Sequence, residues 1–314
     1  MTFVHLPVLS SEVVEHLAVD GARVYIDLTS GGGGHAELIL NKYPQTRAIL
    51  LDRDPDAVSH LKEKFSGYSN VSVVKANASE IDKVSFLMKI QKADIILADL
   101  GVSSHQFDTP QRGFSVKNEG PLDMRMDKDS DFTALDFLKK VTEQELKNIL
   151  SEYAQERESG RVARALKKAM EEGAATTLQF AQAIRKAKKF HPKGIDSATQ
   201  VFMAIRMAVN NETGELEKLL KKSFNLLSDN GKMGIITFHS TEDRIVKRFF
   251  AQRREGLPVY LDDKGTEVVP SGIVDVPKPI MPHEDEIKQN PRARSAKLRI
   301  LKKLTTTLNK RGAS

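Results

Sequence analysis

The sequence predicts an α/β protein: a doubly wound, mostly parallel sheet interrupted by an all-helical insertion. Three observations carry this expectation. Apolar runs of strand length alternate with amphipathic runs of helix length through residues 23–98 and resume after residue 210. Four consecutive glycines, Gly31–Gly34, follow the first apolar run after Thr29-Ser30, where sheets of this kind bind nucleotides because the strand order reverses there. Between the two α/β stretches, about a hundred residues show helical periodicity and no strand pattern.

The first strand is 23–28 (RVYIDL), bounded by Asp20-Gly21 and by the glycines. Residues 35–42 read as a helix with Leu38 and Ile39 inward, and 47–51 as a second strand ending in Asp52-Arg-Asp-Pro55. Proline suits the first turn of the next helix, 55–65, whose inner face carries Ala57, Val58 and Leu61. A strand at 71–74, a helix at 81–90 and a strand at 93–98 follow. Strands joined through helices imply right-handed crossovers and parallel pairing. Residues 108–131 are polar and turn-rich, a long irregular loop of the functional or disordered kind. Helices then start at the capping box Thr142–Glu145, cover 161–171 up to the stop at Gly173, and start again near Thr177 and Ser197. This assigns 108–209 to an inserted helical domain and 1–107 with 210–314 to the α/β domain. The α/β pattern returns with a stripe of Leu216, Leu219, Leu220, Phe224 and Leu227, a turn at Asp229-Asn-Gly231, and a strand at 232–238 ending in His239-Ser240. A helix at 241–253 and last strands at Val259-Tyr260 and 296–301 complete it, with a proline-rich surface excursion over 258–291.

At 314 residues the chain supports a core without staples. It has no cysteine, which excludes disulfides and thiolate metal sites. No basic segment followed by an apolar run opens the sequence, and no apolar run approaches the roughly 18 residues of a membrane span. A cytoplasmic protein without membrane contact is expected. Net charge is +6, and the excess is local. Residues 290–303 hold Arg292, Arg294, Lys297, Arg299, Lys302 and Lys303 and no acid. Such a run is either a solvated tail or a surface that tracks a polyanion.

Asp52 stands 21 residues after Gly31, at the end of the second strand, where a carboxylate can accept both hydroxyls of a ribose. This pattern alone leaves dinucleotide and S-adenosylmethionine enzymes equally open. A phosphate-binding P-loop is excluded, since His35-Ala36 stand where Lys-Ser or Lys-Thr would be needed. The helical block offers no His–carboxylate pattern for hydride transfer. The fourth strand ends in Asp99-Leu-Gly-Val-Ser-Ser104, where an amino-group methyltransferase presents an acid or amide to the amine. The Pro-Pro-aromatic that usually follows is missing. The residues therefore point to an adenosyl-cofactor transferase. A protein that binds such a cofactor and serves as a non-catalytic RNA or assembly factor is the second reading, against which the acids at the sheet edge argue.

Seven stretches, in order along the whole chain, resemble one family. They are Gly32-Gly-Gly-His35, Asp99-Leu-Gly-Val-Ser-Ser104, Arg112-Gly-Phe-Ser115, Gly120-Pro-Leu-Asp-Met-Arg-Met-Asp127, Ala204-Ile-Arg-Met-Ala-Val-Asn210, Phe238-His-Ser240 with Glu242-Asp-Arg-Ile-Val-Lys-Arg-Phe-Phe250, and Asn290-Pro-Arg-Ala-Arg-Ser-Ala-Lys-Leu-Arg299. The chain resembles the bacterial 16S rRNA cytosine-N4 methyltransferases. The resemblance implies a class I S-adenosylmethionine-dependent methyltransferase sheet with an inserted helical domain. It implies transfer of the methyl group of S-adenosyl-L-methionine to N4 of cytidine 1402 in 16S rRNA, in the decoding region of the small ribosomal subunit. A homodimer is compatible with it.

Cofactor contacts implied by the resemblance are Gly33, Gly34, His35, Asp52, Asp99 and Gln106, with Ala78 at the adenine, where the family usually has a larger apolar residue. His105 stands for a common proline and Thr241 for a leucine. Asp99 and His239 are the catalytic candidates. A sulfonium methyl is already activated, so no metal or covalent nucleophile is required. Asp99, or the carbonyl of Leu100, accepts a hydrogen bond from the amine and localises its lone pair. His239 either meets the base or fixes a loop. Arg125 is expected to pair with a neighbouring acid and Arg206 to form a buried salt bridge, while Arg112 is open between pairing and phosphate contact. The insertion and the basic segment at 292–303 are the candidates to grip RNA around an unstacked base.

Overall fold

The computed structural model describes residues 7–190, 196–254 and 274–304. The chain divides into two compact units, Met1–Gly101 with Glu215–Ser314, and Val102–Gly214. In chain order the first unit contributes α1 (Ser10–His16), β1 (Val24–Asp27), α2 (Gly34–Lys42), β2 (Arg47–Asp52), α3 (Pro55–Lys64), β3 (Val71–Lys75), α4 (Ile81–Leu87) and β4 (Ala93–Asp99). The second unit holds α5 (Ser104–Asp108), α6 (Ala134–Lys140), α7 (Glu143–Ala154), α8 (Ser159–Glu171), α9 (Thr177–Ala187) and α10 (Thr199–Val209). Helix α11 (Glu212–Leu226) leads back to the first unit, which ends with β5 (Leu227–Thr237), α12 (Ser240–Arg254), β6 (Val274–Asp275), α13 (Glu284–Gln289) and β7 (Lys297–Lys303).

The strands form one sheet in the order β3-β2-β1-β4-β5-β7-β6. The first five are mutually parallel, and β7 runs antiparallel to both β5 and β6. The expected doubly wound α/β sheet is therefore present, with its switch point between β1 and β4. Strand residues alternate between two cores. Tyr25, Ala48, Leu50, Ile95, Leu97 and Ile236 pack with α1, α2 and α3. Ile26, Ile49, Leu51, Ile96, Ala98 and Ile235 pack with α4, α11 and α12 on the other face. Burying each such aliphatic side chain contributes roughly 1.5–3 kcal/mol.

Several local expectations are corrected. The turn expected at Asp229-Asn-Gly231 lies inside β5: Ala93 pairs with Leu227 and Ile95 with Lys232, so the intervening residues bulge, with Asn230 at φ 61°. Helix α4 stops at Leu87 rather than Ile90, because Lys89 turns left-handed at φ 55°. Helix α6 was hidden in the sequence by a capping box with Asp in place of Glu; the Thr133 hydroxyl accepts the Asp136 N–H at 3.1 Å. The excursion at 258–291 contains α13, while the strand expected at Val259-Tyr260 lies outside the described residues. The basic segment is not a tail. Most of it is β7, with Leu298, Ile300 and Leu301 buried, and Asp243 of α12 takes Arg299 Nε at 2.6 Å and Lys297 Nζ at 3.1 Å. Only its leading 3-10 turn, Pro291–Ser295, carries its arginines, Arg292 and Arg294, on the surface. Among the described residues no helix is long and apolar enough to cross a membrane.

The second unit is a helical bundle around Leu138, Leu146, Leu150, Val162, Leu166, Phe180, Ile184 and Val201. The irregular segment expected at 108–131 packs into it through Phe114, Val116, Leu122, Met124 and Met126. Its order comes from polar side chains that satisfy its carbonyls. Arg112 is 3% exposed and donates Nη2 to the carbonyls of Arg125 and Met126 at 2.9 and 3.1 Å. Asn210 of the Ala204–Asn210 motif accepts the Met126 N–H at 2.9 Å and donates to the Met124 carbonyl at 2.8 Å. A side chain at Gly120 would collide with the Pro110 carbonyl. Arg125 pairs with Asp123 through two bonds of 2.8 and 2.7 Å, and Arg206 with Glu212 through two of 2.7 and 2.8 Å, both as expected. Arg112 thus holds backbone. Replacing it with alanine orphans buried carbonyls, so Arg112→Ala is expected to lose about 2 kcal/mol or more in urea unfolding; an unchanged midpoint would contradict this.

Candidate active site

Three neighbouring parallel strands end in acids: β1 in Asp27, β2 in Asp52 and β4 in Asp99. Parallel pairing brings these carboxyl ends together, with β1 in the middle. Asp27 is 2% exposed. Its carboxylate accepts the Tyr25 hydroxyl at 2.9 Å and the Thr29 N–H at 3.2 Å. The Thr29 hydroxyl oxygen in turn accepts the Asp99 N–H at 2.6 Å. Burial raises the Asp27 carboxyl to about 6, partly offset by the Tyr25 and Thr29 bonds, and the Asp52 charge adds a smaller push.

Asp52 holds the mouth of the glycine loop. Oδ2 accepts the Gly31 N–H at 2.8 Å and Oδ1 the Asp54 N–H at 2.8 Å. Each oxygen keeps a second lone pair for a ligand. Burial raises this carboxyl too, against the two backbone bonds. The loop itself turns left-handed at Gly31 (φ 49°) and Gly33 (φ 72°). The Gly33 N–H returns to the Ser30 carbonyl at 2.7 Å. A Cβ at Gly33 would lie 2.7 Å from the Phe65 ring and 2.9 Å from Leu61, so α3 supports the loop from beneath. Lys64 adds a polar clasp: Nζ donates to the Gly32 carbonyl at 3.2 Å and pairs with Glu37 at 2.8 Å. Gly34 meets the Pro7 side chain, and His35 donates Nε2–H to the Val8 carbonyl at 2.8 Å.

Asp99 differs from the other two acids. Its side chain keeps 18% of its surface, yet Oδ1 is closed to solvent and has no hydrogen-bond partner among the described residues, while Oδ2 lies 3.9 Å from His35 Nδ1. That distance is too long for a hydrogen bond. Burial first, then the charges of Asp27 and Glu242, push its carboxyl well above the usual range. On the same edge β5 leads into His239 at the start of α12. His239 Nδ1 accepts the Glu242 N–H at 3.4 Å, and Nε2 lies 3.0 Å from Glu242 Oε1 without hydrogen-bond alignment. Glu242 Oε2 accepts the Phe238 N–H at 2.9 Å. His239 therefore meets Glu242 twice, Nδ1 at its backbone N–H and Nε2 beside its carboxylate.

Ala78 opens a 3-10 turn after β3, capped by Asn77 and Glu80, and lies partly buried against the core beside Ala76. Gln106 belongs to the second unit. It caps its own helix, accepting the Ser103 N–H at 3.0 Å, and its amide is 3.5 Å from the Met126 carbonyl. The first unit thus gathers Gly33, Gly34, His35, Asp52, Asp99 and His239 at the carboxyl edge of the sheet. Asp27, Thr29, Lys64 and Glu242 were missed as site residues. The signal for Asp27 was present, since it ends its strand in an acid as Asp52 and Asp99 do, and Glu242 stands three residues after His239 in one of the family stretches; Thr29 and Lys64 act across the fold and left no local pattern.

The raised Asp27 carboxyl has a measurable consequence. Between pH 3.8 and about 6 the unfolded chain loses this proton before the folded one does, so stability falls as pH rises through that window. Asp27→Asn removes the charge, its amide oxygen still accepting the Thr29 N–H and its NH2 donating instead to the Tyr25 hydroxyl oxygen. The stability difference between variant and wild type is expected to move in the variant's favour by roughly 3 kcal/mol across the window. Urea melts at several pH values measure it, and parallel curves would refute it.

A sequence profile described as the MraW methylase family matches residues 2–304. A relative from Coprothermobacter proteolyticus, named ribosomal RNA small subunit methyltransferase H, is 38% identical over 300 residues, covering 95% of this chain and 96% of its own. One of the same name from Carboxydothermus hydrogenoformans is 41% identical, covering 97% and 99%. Among solved structures, an rRNA methylase of Streptococcus thermophilus aligns over 97% of this chain and 98% of its own, at 10% identity and TM-score 0.41. The acids at the strand ends, the glycine loop and the motifs of both units lie within the matched span, and the resemblance read from the sequence stands: the chain belongs to the MraW methylase family.

Proposed function

We propose that this chain is an S-adenosylmethionine-dependent rRNA methyltransferase that methylates N4 of cytidine 1402 in the 16S rRNA of the small ribosomal subunit. The observation that carries the reading is Asp99 Oδ1, a buried acceptor without a donor at the end of β4, beside the glycine loop. The residues suit the cofactor: Asp52 offers one spare lone pair per oxygen to a ribose diol, and the acids at the edge suit a cation. When bound, S-adenosylmethionine supplies a methyl group already activated on a sulfonium. The protein's own work is to bind and orient. Gly31–His35 shape the loop, Asp52 takes the ribose, and Ala78 with Ala76 forms a small apolar wall for the adenine.

Asp99 receives the cytosine amine. That nitrogen is a weak nucleophile because its lone pair is delocalised into the ring, and a hydrogen bond donated to Oδ1 localises it. Holding amine and methyl in line supplies up to ~7–11 kcal/mol. His239, with both nitrogens on Glu242, takes the loop-fixing role of the two open to it. Gln106, spent on its helix cap, acts by positioning the chain after Asp99-Leu-Gly101.

Recognition of the RNA falls to the second unit and to Arg292 and Arg294. The exposed side chains of Arg161, Arg164 and Lys168 on α8 and Lys186 on α9 support this. Their surface ion pairs, such as Lys168–Glu172 at 3.6 Å, are weak enough to yield to phosphates. The target base leaves its stack to reach Asp99.

Purified protein, methyl-labelled S-adenosylmethionine and small subunits lacking the modification test the reading. Label is expected in N4-methylcytidine at the decoding site; cofactor binding without label would favour a non-catalytic binder. Asp99→Asn is expected to lower kcat roughly hundredfold or more at saturating cofactor, and normal turnover would remove Asp99 from the chemistry. Reversing charge at Arg292 and Arg294 is expected to weaken RNA binding and flatten its salt dependence while sparing cofactor affinity; unchanged RNA affinity would exclude that turn from the interface.

A further inference from the structure

Methylation of an amine liberates a proton, and the first unit offers one acceptor poised for it. The groups facing Asp99 come from three elements: Asp27 from β1, Glu242 from α12 and His35 from α2, with Asp52 of β2 acting on Asp27 behind it. Two of the three are acids, and His35 Nδ1 stays 3.9 Å away. Oδ1 has neither solvent nor a donor. A carboxylate so placed is costly as an isolated anion and stable either beside a cation or as the neutral acid.

We propose, on the functional reading above, that Asp99 carries the proton of the reaction: it is a neutral acid in the free enzyme, releases its proton when a sulfonium enters the site, and takes a proton from the target amine at Oδ1 once that positive charge is gone. The balance is complete. The sulfur–methyl bond breaks with its pair kept by sulfur, and the N4 lone pair forms the new carbon–nitrogen bond. One N–H bond breaks with its pair kept by nitrogen, and its proton goes to Oδ1. A sulfonium with a carboxylate becomes a thioether with a carboxylic acid, so the net charge of the site is the same before and after. The proton leaves to solvent at the next cofactor binding, and Asp27 and Glu242 keep Asp99 ready to receive another. The raised proton affinity of Asp99, from burial and then from those two acids, agrees with this.

Titration calorimetry of the full chain tests it, at a pH of about 6.5, below the ordinary range of an α-amino group. Binding is measured in buffers of different ionisation enthalpy. S-adenosylmethionine is expected to release a net fraction of a proton per site. S-adenosylhomocysteine has the same α-amino group but no sulfonium, and is expected to release clearly less. Asp99→Asn, checked for folding by circular dichroism, is expected to abolish the difference. Equal release by the two ligands in the wild type would overturn the proposal, as would a difference that survives in the variant; either result leaves the functional reading intact. Failure of both ligands to bind would overturn the functional reading together with this one.

Discussion

The buried carboxylate of Asp27 is the interaction on which the edge of the sheet depends. It sits where three parallel strands end, and it ties its own strand to the next loop through the Thr29 N–H. Thr29 then fixes the backbone of Asp99 across the β1–β4 junction. A chain of two hydrogen bonds therefore sets the position of the last residue of β4. The cost is a carboxyl driven to about 6, which the Tyr25 hydroxyl and the Thr29 bond only partly offset. That cost is mainly the burial of the carboxyl, with the Asp52 charge a smaller part.

The glycine loop is held from two directions. From the side, Asp52 takes the Gly31 N–H; from below, Leu61 and Phe65 press against Gly33 so closely that a methyl group would not fit. The glycines therefore answer two demands at once, a left-handed turn and a close approach of α3. Lys64 closes the arrangement by donating to the Gly32 carbonyl. This scaffold is unlike a phosphate cradle: the N–H groups of Gly31 and Gly33 are already bonded, Lys64 is engaged with loop carbonyls and Glu37, and the neighbouring strand ends carry acids. A loop built this way suits a cation-bearing, ribose-bearing ligand.

Several of the family stretches serve structure rather than chemistry. Arg112, Asp123, Arg125 and Asn210 spend their polar groups on the backbone and side chains of one irregular segment. In the same way, the basic stretch near the end of the chain gives Lys297 and Arg299 to Asp243, which locks α12 onto β7. From the sequence, 296–301 reads as a last strand, as β7 bears out, while the charge of the run leaves a solvated tail and a polyanion surface both open. Alternate residues of that stretch are apolar, however, and strand pairing turned them into the core.

The sequence by itself determined the doubly wound sheet, the glycine loop, the acids at positions 52 and 99, and the helical interruption, because each is written in local periodicity, turn chemistry or spacing. The short helices α5 and α6 escaped it: α5 is only five residues long, and α6 opens on a box with Asp136 in place of Glu or Gln. Tertiary structure alone decided that β7 would run antiparallel beside β5, and that Asp99 Oδ1 would be left without a donor among the described residues. Those outcomes depend on which residues distant in the chain arrive at the same strand ends, and on how much water is excluded when they do. Burial and neighbouring charge are properties of a place in the fold, and the order of residues does not display them.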